Sequence, residues 1–285
     1  MGTDAENTDV WALGSAYDRY MGRWSRLVAE EFVPWLGCAD GLQWLDVGCG
    51  TGVMSAVVAA RCRPRTVVGI DRSERFVRSA REAAPDTTGA APTRRFVVAD
   101  ATALPVRRQS CDVAASALVL NFLPDPAAAV ARMADSVRPG GTVAAYVWDY
   151  ADGMGFLRRL WDAAAEADPS AAALDEGRRF PLCRPQALYA LWAGAGLADI
   201  STTAIEVPTV FADFDDLWGP FLAGQGPAPA YVASLPPVER DRLRSLFSAA
   251  VPQGADGSIT LTARAWAVKG RRPDHPGGGR VSPTR

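Results

Sequence analysis

The chain has 285 residues, 48% of them hydrophobic, and a formal charge of −2. That length suits one large α/β domain with an appendage, and no apolar run reaches the roughly 18 residues of a membrane-spanning helix. The tail from Lys269 carries +4 and the rest of the chain −6, so the body lacks the basic face of a nucleic-acid reader.

The opening MGTDAENTDV has neither a basic region nor an apolar signal segment, and the expectation is a cytoplasmic protein. Residues 11–37 read as an amphipathic, aromatic helix carrying Trp11, Tyr17, Tyr20, Trp24, Phe32 and Trp35. Alternation follows. Strands are expected at 42–47, 66–71, 95–99, 112–116 and 142–149, with helices at 52–60, 73–84 and 126–137. Ser73 is placed to cap the second of these helices. Arg138-Pro-Gly-Gly141 reads as a turn. Beyond Asp149 the pattern changes: helices at 153–167 and 185–195, a strand at 199–207, helices within 211–250, and a last alternating strand at 258–268.

Strands alternating with helices at this spacing predict a doubly wound α/β sheet with the strand C-termini on one edge, where ligands bind. Asp46, Asp71, Asp100 and the 116–122 segment all fall at such ends. The expected organisation is a helical cap at 1–40, a ligand-binding core at 41–150, and the rest of the sheet at 151–270. A helical lid (roughly 209–256) interrupts that last part, and 271–285 forms a disordered tail.

The stretch with most chemical content is Trp44-Leu-Asp-Val-Gly-Cys-Gly-Thr-Gly52. A strand running into a glycine-rich turn and then a helix lets backbone approach a nucleotide closely. Val53 breaks the G-x-G-x-x-G dinucleotide spacing, and no Gly-Lys-Ser/Thr follows to make a phosphate loop. Asp46 at the turn disfavours a phosphate and favours a cationic ligand. Asp71, 19 residues after Gly52, can hold both hydroxyls of a ribose. The five cysteines (38, 49, 62, 111 and 183) include no Cys-x-x-Cys pair, and no metal is expected. The only histidine is His275, in the tail, so most His-based metal sites and any Ser-His-Asp triad are excluded.

In combination these features resemble the class I S-adenosylmethionine-dependent methyltransferases, most closely their small-molecule "type 11" branch. The resemblance is carried by Leu45-Asp-Val-Gly-Cys-Gly-Thr-Gly52, Val68-Gly-Ile-Asp71, Val98-Ala-Asp-Ala101 with Leu104-Pro105, Cys111-Asp112 and Arg138-Pro-Gly-Gly141. It covers about residues 15–150. It implies a seven-stranded Rossmann-like sheet whose last strand is antiparallel, with an N-terminal helical cap and a helical insertion before that strand.

It also implies a cofactor site for S-adenosyl-L-methionine, with S-adenosyl-L-homocysteine as product. Gly48, Cys49, Gly50 and Gly52 would lie against the methionine part, and Asp46 would face its ammonium directly or through water. Asp71 would bind the ribose hydroxyls, with Arg72 flanking the adenine. Asp100 would accept from the adenine amino group, and the Ala101 N–H would reach a ring nitrogen. A carbonyl near Ser116 or Ala117 would contact the ammonium. Tyr17 and Arg23 would close over the methionine end, Arg23 as a carboxylate partner.

The family's amino-methylating Asn/Asp-Pro-Pro-Tyr motif is replaced by Leu120-Asn-Phe-Leu-Pro124, which argues against a DNA-amine or protein-glutamine acceptor. The expected acceptor is a medium-sized, largely apolar small molecule of biosynthesis, methylated at O, N or C. Tyr20, Asn121, Trp148, Tyr150, Trp161, Phe180, Phe211, Trp218 and Phe221 are candidate lining residues. Asp149, Asp18, Tyr20 and Tyr150 are candidate bases, none chosen by a motif. Two other readings stand beside this one. The fold can bind S-adenosylmethionine without transferring methyl, as a cyclase-like catalyst or binding module. An NAD-dependent oxidoreductase would need a set such as Tyr-x-x-x-Lys, and Lys269 is the only lysine. Neither nucleic acid nor membrane is expected as a partner. The aromatic N-terminal helix either closes its own protomer's site or exchanges within a homo-oligomer.

Overall fold

The computed structural model describes residues 22–84, 93–223 and 226–274. The first described helix, α1 (Arg23–Leu36), buries Trp24, Val28, Phe32 and Leu36, one residue per turn at i, i+4 spacing. It ends at Gly37, whose φ of 67° only glycine adopts without strain. Strand β1 (Gln43–Val47) is followed by α2 (Val53–Cys62), β2 (Thr66–Asp71) and α3 (Glu74–Ala83). The Ser73 hydroxyl accepts from Phe76 N at 3.4 Å, capping α3 as expected. Next come β3 (Thr93–Val98), β4 (Cys111–Ala117), α4 (Pro126–Ser136) and β5 (Val137–Trp148). Pro126 and the capping Asp125, which accepts from Ala128 N at 2.8 Å, start α4.

The C-terminal part comprises α5 (Gly155–Ala167), a helical turn α6 (Glu176–Arg179), α7 (Pro185–Gly194), β6 (Ala198–Phe211), α8 (Phe214–Trp218), α9 (Pro227–Ser234), α10 (Pro237–Ala250) and β7 (Ile259–Arg271). All strands form one seven-stranded sheet in the order β3-β2-β1-β4-β5-β7-β6. The first five are mutually parallel, and β7 runs antiparallel to both β5 and β6. The strand order reverses between β1 and β4, which opens a crevice at their C-terminal ends. Opposite sheet faces carry separate cores. Trp44 and Tyr146 belong with α1 and α2, while Leu45 and Val147 belong with α4 and α7. Period-two alternation therefore turns Asp46 toward α2, where Ser55 meets it.

Three expectations needed revision. Arg138-Pro-Gly-Gly141 is a bulge inside β5 rather than a turn before it. Gly140 takes φ 72° and donates its N–H to Arg272 O at 2.9 Å, and the register with β4 shifts between Cys111 and Val113. The strand expected at 199–207 runs on to Phe211, because β7 pairs with it along its whole length. Residues 271 and 272, expected in the tail, are ordered. Arg271 closes β7, and the Arg272 guanidinium donates to Ala134 O, Asp135 O and Val137 O, satisfying carbonyls at the end of α4. Lys269 is structural too. Its Nζ donates to Trp35 O at 2.7 Å and sits over the Trp35 ring, capping the C-terminus of α1. His275 lies outside the described residues.

Candidate active site

The glycine turn is built by hydrogen bonds to the neighbouring strand end. Gly48 N and Cys49 N both donate to Ile70 O, at 2.7 and 2.9 Å, and Gly50 N donates to Asp71 Oδ2 at 2.9 Å. Ser73 N donates to Asp71 Oδ1 at 2.8 Å. The amides that a phosphate would use are thus already occupied by β2. At Gly48, with φ 74°, a Cβ would stand 2.3 Å from the Val119 side chain. The residue must be glycine on both counts.

A cavity of about 610 Å³ opens in front of this turn. Gly48, Cys49, Gly50, Asp71, Arg72, Asp100 and Ala101 form one end of its wall, and Asn121, Phe122, Tyr146, Trp148, Tyr150, Arg179 and Phe180 contribute elsewhere along it. Leu118, in the left-handed region at φ 62°, turns the chain from the end of β4 over the cavity, its N–H held by Tyr146 O at 2.8 Å. Strain of this kind gathers at functional sites. Phe180 packs edge-on against Phe122 at 5.1 Å and against Tyr150 at 5.3 Å.

Asp46 is 2% exposed and stands behind the cavity wall. Ser55 Oγ donates to its Oδ2 at 2.6 Å, while Oδ1 has no hydrogen-bond partner. Burial pushes its carboxyl up to about 7, against the opposing pull of the Ser55 bond, and Asp71 adds a smaller push. Ser116 Oγ is likewise buried and unpartnered. Asp100 goes the other way. Hydrogen bonds from the Thr102 hydroxyl and N–H hold its carboxyl below the usual range. Burial raises the Cys49 thiol strongly, so it is not a nucleophile. Among the described residues, no group of three or more His, Cys, Asp and Glu side chains is placed to hold a metal, and no helix is long and apolar enough to cross a membrane.

Residues 45–145 match the family model described as a methyltransferase domain. The chain carries the class I S-adenosylmethionine-dependent methyltransferase domain. Its relatives agree. The trans-aconitate 2-methyltransferase of Methylobacterium radiotolerans is 33% identical over 165 residues, which are 56% of this chain and 60% of that one. The nocamycin O-methyltransferase of Saccharothrix syringae is 36% identical over 133 residues, 46% of each chain. The chain spans about half the length of the curated relatives it matches. Phosphoethanolamine N-methyltransferase 2 of Haemonchus contortus, solved with S-adenosyl-L-methionine, shares the fold. Its TM-score is 0.54 at 18% identity, covering 91% of this chain and 56% of that one.

Of the residues expected at the methyltransferase cofactor, Gly48, Cys49, Gly50, Asp71, Arg72, Asp100, Ala101 and Ala117 line the cavity. Asp46, Gly52 and Ser116 do not: the first and last are buried behind its wall, and Gly52 starts α2. Arg23 is also away from it. Its guanidinium meets both carboxylate oxygens of Asp216 at 3.2 Å and lies over the Trp24 and Phe211 rings, so it joins α1 to α8 instead of reaching for a ligand. Tyr17, Asp18 and Tyr20 lie outside the described residues.

On the acceptor side, Asn121, Trp148, Tyr150 and Phe180 line the cavity, whereas Trp161, Phe211, Trp218 and Phe221 do not. Trp161 Nε1 donates to the buried Glu176 carboxyl. Phe211 packs on Trp24 and Phe156, and Trp218 and Phe221 pack on each other and on Phe247. These rings belong to the hydrophobic core that packs on the α1 face of the sheet. Asp149 is not free to act as a base. It is 1% exposed, its Oδ2 accepts from Arg264 at 2.8 Å, and its Oδ1 accepts from Asp152 N at 3.0 Å. The sequence reading missed Tyr146, Phe122 and Arg179. Tyr146 had a signal, since it precedes Trp148 by two residues and shares its strand face.

Proposed function

We propose that the protein transfers the methyl group of S-adenosyl-L-methionine to a medium-sized, largely apolar small molecule. The observation that carries the reading is the buried Asp46 at the end of β1, whose Oδ1 has no hydrogen-bond partner, behind a turn whose Gly48, Cys49 and Gly50 amides are already bonded to β2. An ionised carboxylate there fits an ammonium and repels a phosphate. The residues present therefore fit this cofactor, which supplies an electrophilic methyl on a sulfonium for in-line displacement.

Asp46, from behind the cavity wall, would face the ammonium directly or through water. Asp71, whose carboxylate accepts from Gly50 N and Ser73 N, would also bind the ribose hydroxyls. Asp100 and the Ala101 N–H would read the adenine edge. The acceptor would lie among Asn121, Phe122, Trp148, Tyr150 and Phe180, whose aromatic walls suit an apolar body and exclude water. Fixing the two reactants in line can account for up to roughly 7–11 kcal/mol of the barrier in ideal cases. The names of the relatives, which act on trans-aconitate and nocamycin, support a small acceptor without choosing among acceptors.

Isothermal titration with S-adenosylmethionine tests the cofactor. Binding by the native protein and at least tenfold weaker binding by Asp71→Ala are expected; no binding, or equal binding by both, refutes it. A second reading, cofactor binding without transfer, draws on one observation. The cavity's acids, Asp71, Asp100 and Asp125, all accept backbone N–H bonds at loop and helix ends, so none is a free base. Transfer of a radiolabelled methyl to a candidate acceptor eliminates that reading.

A further inference from the structure

The polar groups toward the Phe180 end of the cavity mostly donate. Arg179 lines the cavity, is exposed, and makes no side-chain hydrogen bond or ion pair among the described residues. Trp148 Nε1–H is buried without a partner. Asn121 has an unpartnered Oδ1 and offers its amide N–H only to Cys183 Sγ at 3.6 Å. The acids nearest Arg179 in the chain are committed elsewhere. Asp175 forms a bidentate pair with Arg158, and Glu176 accepts from Trp161 Nε1 and from Ala228 N.

Those same bonds fix α6, which holds Arg179, to α5 and α9. The adjoining Phe180 is held between Phe122 and Tyr150. The guanidinium is therefore presented from an anchored turn and is not neutralised by its own segment. Apolar ring walls, one uncompensated cation and an indole donor are the complement of a planar apolar body with one negative charge.

Resting on the methyl-transfer reading above, we propose that the acceptor carries a carboxylate and that Arg179 is the residue selecting it. The guanidinium fork matches a carboxylate in bidentate fashion. A phosphate dianion shares that chemistry, but a single arginine would leave its second charge unmatched. The half-open position limits the gain, since exposed ion pairs are weaker than buried ones.

The test uses the full chain saturated with S-adenosylhomocysteine. Naphthoate, naphthamide and naphthyl phosphate are titrated by tryptophan fluorescence and calorimetry into the native protein, Arg179→Gln and, as a control off the cavity wall, Arg178→Gln. Naphthoate is expected to bind the native protein and Arg178→Gln about tenfold tighter than naphthamide. Arg179→Gln should erase that preference while binding S-adenosylhomocysteine as before. Equal binding of naphthoate and naphthamide by the native protein overturns the proposal. So does a preference surviving in Arg179→Gln, a stronger preference for naphthyl phosphate, or failure of every probe to bind. If S-adenosylhomocysteine itself does not bind, the methyl-transfer reading falls, and repeating the probe titrations without it reads Arg179 separately.

Discussion

Replacing Asp46 with asparagine separates what this residue does for the fold from what it does for the ligand. In the ligand-free protein the carboxyl is raised from 3.8 to about 7 by burial. The folded protein therefore binds a proton that the unfolded chain has lost, throughout the interval between those values. Stability contributed by the protonated form is complete below about pH 4 and falls as pH rises, by about 1.4 kcal/mol per pH unit, until it levels off near pH 7. The full loss is about 4 kcal/mol. Asparagine does not titrate and keeps the acceptor for Ser55 Oγ. Its amide replaces the unpartnered Oδ1 with an unpartnered donor, at a cost of about 1–3 kcal/mol.

Above pH 7 the variant should be more stable than the native protein by about 2 kcal/mol without ligand. Urea denaturation of both proteins between about pH 5 and pH 8 measures this. The difference should widen by about 1.4 kcal/mol per unit up to pH 7 and then stay flat. A difference independent of pH would refute the buried, proton-binding carboxyl. The same variant should gain less from S-adenosylmethionine, with affinity reduced roughly 10–100-fold for a lost charge-assisted bond.

The native protein's affinity for S-adenosylmethionine should increase with pH up to about 7, as Asp46 ionises, and Asp46→Asn should remove that dependence when both are titrated calorimetrically. Gly48→Ala should destabilise the protein by about 2–4 kcal/mol in urea melts, because the new methyl meets Val119 and the residue needs φ 74°. Adding Val119→Ala should recover only the steric part. Asp149→Asn should lower stability by about 2–4 kcal/mol by breaking the pair with Arg264, yet leave methyl transfer per folded molecule intact; loss of turnover at full folding would restore Asp149 as a catalytic group. Glu176→Ala should strand Trp161 Nε1 and Ala228 N and release α9 from α5, read as faster hydrogen exchange in 227–234 with the sheet unchanged.

The glycine-turn end of the cavity was legible because its signals are local. A glycine with positive φ, a strand end and an acid at that end are written in neighbouring residues, and the parallel ladder then brings 46, 71 and 100 to one edge. The rest of the cavity wall was not legible in the same way. Trp218 and Phe221 have the composition of a ligand pocket, but an aromatic side chain buries its area equally well against Phe247. Composition cannot tell these outcomes apart. Arg23 failed for a related reason: its partner Asp216 is 193 residues away, and no spacing rule reaches that far. The Arg-Pro-Gly-Gly bulge was mistaken for a turn because the glycine that ends a strand and the glycine that kinks one look alike in sequence.

The position of β7 has a consequence for how the molecule is made. Strand β7, which follows β6 in the chain, is inserted between β5 and β6, and among the described residues β6 has no other strand neighbour. On the ribosome, β1 to β5 can assemble in chain order, each beside a strand already present. Strand β6 must wait with an unpaired edge for residues 259–271 to emerge. The glycine turn can therefore be set before β6 is paired, and nascent chains should be most prone to misassembly in that interval. A chain stalled just before Ile259 would hold the glycine turn already formed and expose β6 as an adhesive edge.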